Sequence, residues 1–169
     1  MVEIIAKSTH SEKRTRDFFK FHLVKVNPSR YVYFGIAIIL LIIALVLALL
    51  NNYGGSLFFL FIAIMILIIK VVTTNMLVNR IVKKVVFPSK NYKLIFNENQ
   101  IIHSTEAIKK TYKWNDFLII YEVYSYIFFY LTKNQALLLS KYILSEDERT
   151  ALKEMILNSK VKYKFIKFK

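Results

Sequence analysis

Tyr31-Val-Tyr-Phe-Gly-Ile-Ala-Ile-Ile-Leu-Leu-Ile-Ile-Ala-Leu-Val-Leu-Ala-Leu-Leu50 carries no charged side chain. As a helix rising ~1.5 Å per residue, it reaches ~30 Å, one hydrocarbon thickness of a bilayer. Tyr31 and Tyr33 stand where an interfacial aromatic belt would place them. A cleaved signal peptide does not fit, because a long polar segment precedes the stretch and no small-residue cleavage site follows it. The stretch therefore reads as a first transmembrane helix, residues 31–50.

Outward from it, Asn51, Asn52, Tyr53, Gly54, Gly55 and Ser56 form an uncharged, turn-prone connector, read as an external loop. Leu57 to Ile69 is purely apolar but spans only ~20 Å, too short to cross alone. Lys70 then interrupts. Either it snorkels its ammonium to the headgroups, which its place near one end favours, or it is a buried functional cation. Leu77, Val78, Ile81, Val82, Val85 and Val86 recur at helical spacing. The second helix thus reads as residues 57–86, running past the membrane as a basic stalk that stops before Pro88.

Charge sets the orientation. Lys25 and Arg30 precede the first span, and Lys70, Arg80, Lys83, Lys84 and Lys90 follow the second. The connector has none. The positive-inside rule puts both termini in the cytoplasm and 51–56 outside. The seven basic residues make a membrane-interface set that faces an anionic inner leaflet. The chain of 169 residues is 56% hydrophobic with net charge +14, and the apolar excess sits in the two spans. It has no cysteine, which excludes disulfides, thiolate metal sites and a cysteine nucleophile. Abundant Ile, Lys, Asn, Tyr and Phe with few Gly and Pro suggest an AT-rich bacterial genome, hence a bacterial cytoplasmic membrane.

On the inner side, residues 1–30 read as a strand, Val2–Ala6, and an amphipathic helix from about His10 to Val26 ended by Asn27-Pro28. Thr9 and Glu12 form a capping-box pattern. That helix lies at the membrane interface or packs on the cytoplasmic domain. Val2–Ala6 is expected to complete the C-terminal sheet. From 91 to 160 the texture is β-rich: Asn91–Asn97, Gln100–Thr105, Lys109–Trp114, Phe117–Val123, Tyr126–Thr132 and Ala136–Ser140. Ser145 and Glu148 form a second capping box, opening a helix with Leu152, Met155 and Ile156 on one face. The pattern is a small antiparallel sheet, bent or nearly closed, with the helix over its open side. Trp114, Phe117 and Leu138 are candidate core residues. The tail, 161–169, alternates lysine with apolar residues and reads as a membrane-binding or loose end in preference to an added strand.

The order strand, helix, two-span hairpin, basic linker and β-rich domain resembles the YcxB-like family. Further similarity lies in Trp114-Asn-Asp-Phe-Leu-Ile-Ile-Tyr-Glu122, and in the pair Tyr126–Leu131 and Ala136–Ser140 before an acidic-capped helix. Where the family often has proline-lysine, this chain has Ser140-Lys141. The resemblance implies a membrane α+β protein: a two-helix transmembrane hairpin with a cytoplasmic pleckstrin-homology-like antiparallel β domain capped by a C-terminal helix. It implies no catalytic residues.

His10, His22 and His103 lack metal-ligand spacing, Gly occurs only at 35, 54 and 55, and no paired catalytic groups stand out. Neither an enzyme nor a cofactor is expected, and the lysines lack a nucleic-acid-binding signature. The leading expectation is an immunity-type protein protecting its host against a membrane-active peptide or a secreted toxin such as a bacteriocin. The alternative is a membrane-anchored scaffold or regulator binding a cytoplasmic partner.

Overall fold

A computed structural model describes residues 3–85 and 91–168, with Arg30 described by its backbone alone. Val2, Val86, Pro88 and Lys90, expected in a strand, around a helix end and in a basic flank, lie outside the described residues. The chain divides into two compact units, Thr15–Val85 and a second made of Met1–Arg14 with Val86–Lys169.

The first unit is helical. Helix α1 (Glu12–Phe21) runs into a π-helical segment, His22–Val26, closed by the Asn27 amide donating to the His22 carbonyl at 2.8 Å. The expected Thr9 cap is not used. Thr9 is still extended, and Ser11 Oγ instead accepts from the Arg14 amide at 3.3 Å. Helix α2 spans Ser29–Leu49 and helix α3 spans Tyr53–Lys84, packed along each other. Both are long and apolar enough to cross a membrane. Only 11% and 6% of their most apolar windows are buried, which is unlike the core helix of a soluble domain. The residues that are buried are small or sit on one stripe: Ala37 and Ala44 on α2, Ala63 on α3. Spacing of seven on α2 and small side chains let two backbones approach closely.

The connector differs from the expected six-residue loop. Tyr53, Gly54, Gly55 and Ser56 are the first turn of α3. Helix α2 ends in a Schellman motif: Asn51 adopts φ 59°, its amide donates to Ala48 at 3.0 Å, and the Asn52 amide donates to Leu47 at 2.9 Å. The Asn52 side chain at once caps α3, accepting from the Gly55 amide at 3.0 Å. Two adjacent asparagines thus stop one helix and start the next. Composition reads all six residues as turn formers. The capping geometry needs only two, and the glycines, free of a Cβ, are spent inside the helix. A Cβ on Gly55 would lie 3.2 Å from the Leu47 side chain.

The second unit is two four-stranded sheets and a helix. Strands β1 (Ile4–Thr9), β2 (Asn91–Phe96), β3 (Gln100–Thr105) and β4 (Lys109–Lys113) form one antiparallel sheet in that order. Strands β5 (Ile119–Glu122), β6 (Tyr126–Tyr130), β7 (Ala136–Ser140) and β8 (Tyr163–Phe165) form the other, ordered β7-β6-β5-β8. The N-terminal strand pairs with β2, Ile4 opposite Phe96 and Thr9 opposite Asn91. The tail does not hang loose: β8 pairs parallel to β5, Ile120 opposite Tyr163. Its alternation, read as a basic coating for lipid, serves equally as the two-residue period of a strand.

Between the sheets lies one core. Phe129, wholly buried on β6, has the rings of Phe96, Phe117 and Trp114 at 5.5, 5.8 and 6.4 Å. Helix α4 (Glu146–Asn158) adds Leu152, Met155 and Ile156 to it. Its capping box is complete: the Glu148 amide donates to Ser145 Oγ at 3.2 Å, and the Ser145 amide donates to Glu148 Oε2 at 2.8 Å. Trp114 and Phe117 are core residues, but Leu138 is not. Leu139 is fully buried, and Leu137 packs partly buried against the core with it. Leu138 lies on the opposite face of β7 and is only half-buried. In the run Leu137-Leu138-Leu139, hydrophobicity alone gives no phase.

Candidate functional site

The residues singled out in the sequence do not converge on one place. Arg80, Lys83 and Lys84 are exposed near the end of α3, while Val78 and Val82 on the same helix are buried. Arg16 of α1 donates to Asn79 Oδ1 there, so the helix beyond the apolar window is braced from α1. Lys25 lies half-buried in the π-helical segment. Lys70 stands on the stripe of α3 that faces α2, with its Nζ 5.5 Å from the Tyr33 ring and 5.0 Å from the Phe34 ring. Both distances are within cation–π range. It is half-buried against the hairpin rather than extended along the outer surface.

In the β unit two polar constellations escaped the sequence reading. The first joins β5, the turn after β7, and β8. Lys141 Nζ forms an ion pair with Glu122 Oε1, and Tyr163 Oη donates to Glu122 Oε2. Burial works to raise the Glu122 pKa. The hydrogen bonds from Lys141 and Tyr163 and the charges of Lys141 and Lys153 outweigh it, holding the carboxyl below its ordinary value. Burial and the same carboxylate push the Tyr163 hydroxyl up. Lys141 is held in turn by its backbone: its amide donates to Ser125 at 2.9 Å and its carbonyl accepts from Arg149 Nε at 2.9 Å. Asp116 is turned elsewhere, accepting from the Lys113 amide at 2.8 Å, and the Trp114 indole donates to the Asn97 carbonyl at 3.0 Å. The two carboxylates serve separate structural roles.

This geometry carries a specific correspondence. Glu122 closes the Trp–acidic–apolar–Glu stretch, and Lys141 occupies the lysine after β7, the two places on which the sequence similarity rested. They meet in space as one ion pair. A family model described as YcxB-like protein matches residues 96–156. Over these residues the chain is similar to that family. No curated protein and no solved structure matches the chain. The matched segment begins at Phe96, the last residue of β2, and ends at Ile156 in α4. It contains both charged partners and the aromatic core, whereas β1, the helical hairpin and β8 lie outside it.

The second constellation sits where β1 leaves its sheet. Arg14 Nη1 donates to Ser8 Oγ and, at 2.7 Å, to the Thr9 carbonyl. The rings of His10 and His103 flank Tyr92 at 4.5 and 5.7 Å, and Tyr92 Oη donates to the Leu138 carbonyl at 2.8 Å, tying β2 to β7. Burial lowers the pKa of both histidines, helped for His10 by His103 and Arg14 and for His103 by Lys110. Beside this cluster a groove of about 530 Å³ is lined by Lys7, Ser8, Asn91, Lys93, Ser104 and Glu106, among others. Hydroxyl, amide and charged groups of both signs stand around it, over a surface that is mostly carbon. Among the described residues no group of three or more His, Asp or Glu is placed to hold a metal ion.

Proposed function

We propose that the chain is a non-enzymatic membrane protein whose α2–α3 hairpin spans a bacterial cytoplasmic membrane, with both termini cytoplasmic, and that it works as an anchored scaffold or regulator. The three-residue turn carries this reading. With α2 ending at Leu49 and α3 beginning at Tyr53, only Leu50, Asn51 and Asn52 separate the spans. An outward-acting protein would need more than that outside the bilayer. The two polar constellations and the groove belong to parts that the positive-inside rule assigns to the cytoplasm. The β unit supports a pleckstrin-homology-like reading by its strand count, four then three, with α4 after the seventh. On this reading the groove beside Ser8 and Lys93 takes a cytoplasmic protein or peptide.

The absence of native cysteine makes topology directly testable. In intact cells, Asn51→Cys is expected to react with a membrane-impermeant maleimide, and Lys133→Cys only after lysis. The opposite pattern sinks the orientation. For the scaffold role, photo-crosslinkers at Lys7 and Lys93 should capture a discrete cytoplasmic partner. Loss of that adduct in a Lys93→Glu variant supports the groove, and the absence of any adduct above background counts against the role.

The second reading is self-protection against a membrane-active peptide or a secreted toxin. The exposed apolar faces of α2 and α3 favour it, since the short turn leaves the spans themselves as the surface that would meet a toxin. Expression in a sensitive strain tests it. If toxins encoded beside the gene kill expressing and control cells alike, this reading fails.

A further inference from the structure

Within the helical unit, a cleft of about 370 Å³ opens beside Lys70. Lys20 and Lys70 line it with the polar side chains of Thr74 and Asn75, and Phe34, Leu67, Val71 and Val24 supply apolar wall. No acidic residue lines it. Val24 comes from the π-helical segment, an irregularity that is costly for a helix and frequent at functional sites.

Depth matters as much as charge. Lys70 lies seventeen positions after Tyr53, the first residue of α3, or ~26 Å along a helix axis. With a hydrocarbon core of ~30 Å, its ammonium sits at the inner boundary, where headgroup phosphates lie. Tyr33 and Phe34 hold that ammonium in place by their ring faces. A lysine that only snorkels leans outward along its own helix. This one is oriented toward a neighbouring helix and shares a cleft with a second cation.

We infer that the cleft binds the phosphate of one anionic phospholipid, with Lys20 and Lys70 as the cationic contacts and Thr74 and Asn75 as hydrogen-bond partners. The acyl chains run down the apolar wall of Phe34, Leu67 and Val71. The inference rests on the membrane placement proposed above and gives Lys70 a ligand.

The full chain, taken from carbonate-washed membranes, is placed in nanodiscs of phosphatidylcholine with or without phosphatidylglycerol. Native mass spectrometry during delipidation reads retained lipid, and thermal unfolding reads stabilisation. The wild type should keep one phosphatidylglycerol and melt higher when it is present. Lys70→Gln and Lys20→Gln should each weaken retention about fivefold, from ~1 kcal/mol per charge near the surface. A Lys83→Gln/Lys84→Gln variant should behave as wild type. Lys20 is exposed, so its variant remains informative if Lys70→Gln misfolds. Unchanged retention in Lys20→Gln, or an equal loss in the Lys83/Lys84 variant, overturns the site. So does equal stabilisation by inorganic phosphate in phosphatidylcholine alone, which would identify a soluble anion. A chain that washes out of the membrane defeats the placement and the site together. One that stays but keeps no phosphatidylglycerol defeats the site alone.

Discussion

Glu122 and Lys141, nineteen positions apart, meet as an ion pair whose side chains are only 15% and 18% exposed. Burial at this level makes the pair a commitment. Removing one partner leaves the other charge poorly solvated, which costs more than an exposed bridge is worth.

Glu122→Gln is therefore expected to destabilise the β unit by about 2 kcal/mol, and Tyr163→Phe by about 1 kcal/mol. Denaturant unfolding of the full chain in detergent measures both. Because the two side chains share one carboxylate, the double variant should lose less than the sum. Strict additivity would mean that Tyr163 and Glu122 act independently.

Acid should weaken the β unit in two stages. His10 and His103 have depressed pKa values in the fold. Their contribution is complete above the unfolded value of about 6.5 and is lost as pH falls through the lower folded values. Glu122 is also depressed, so its contribution is complete above about 4.5 and disappears below that. Melting temperature followed from pH 8 to pH 3 should bend first below 6.5. His103→Gln should flatten that first bend and leave the second. A single bend near 4.5 in the wild type would remove the histidines from the account.

The first strand supplies an internal comparison. Ile4 is 2% exposed and Ile5 is 45% exposed. Ile4→Ala should cost about 2–4 kcal/mol and Ile5→Ala less than about 0.5. Deleting residues 1–8 should expose β2 to protease. Digestion fragments with unchanged lifetimes would contradict the pairing of β1 with β2.

At the turn, Asn51 occupies a left-handed conformation. Asn51→Gly should be neutral or mildly stabilising, whereas Asn51→Val should cost about 1–2 kcal/mol. Asn52→Ala, which removes the cap on α3, should cost about 1 kcal/mol. Thermal unfolding of the helical signal in detergent measures each. A tolerant Asn51→Val would show that the Schellman geometry is not maintained.

Much of this architecture was legible in the residues, for identifiable reasons. The long apolar helix over Tyr31–Leu49, the strands 100–105 and 136–140 and the Ser145–Glu148 box each rest on a local rule, either length of apolar run, alternation or capping chemistry. What escaped depends on partners distant in sequence. Leu138 and Leu139 differ only in which face meets the core, and Thr9 and Ser11 only in where pairing with β2 lets go. The lysine-rich tail is a strand because β5 offers an edge to it. The polar clusters were invisible for the same reason, since Glu122, Lys141 and Tyr163 are brought together by three different strand pairings.

Ile4 lies opposite Phe96, across the whole helical hairpin. A ribosome adding about 5–20 residues per second needs roughly 5–20 s to make the chain between them. During that interval β1 has been synthesised and its partner has not. The first strand must wait with its backbone unpaired. Its core-facing side is Ile4, Ala6 and Ser8 and its outer side Ile5, Lys7 and Thr9, so each face of the waiting strand carries a polar side chain, and Lys7 is the kind of charge that guards an unpaired strand against aggregation.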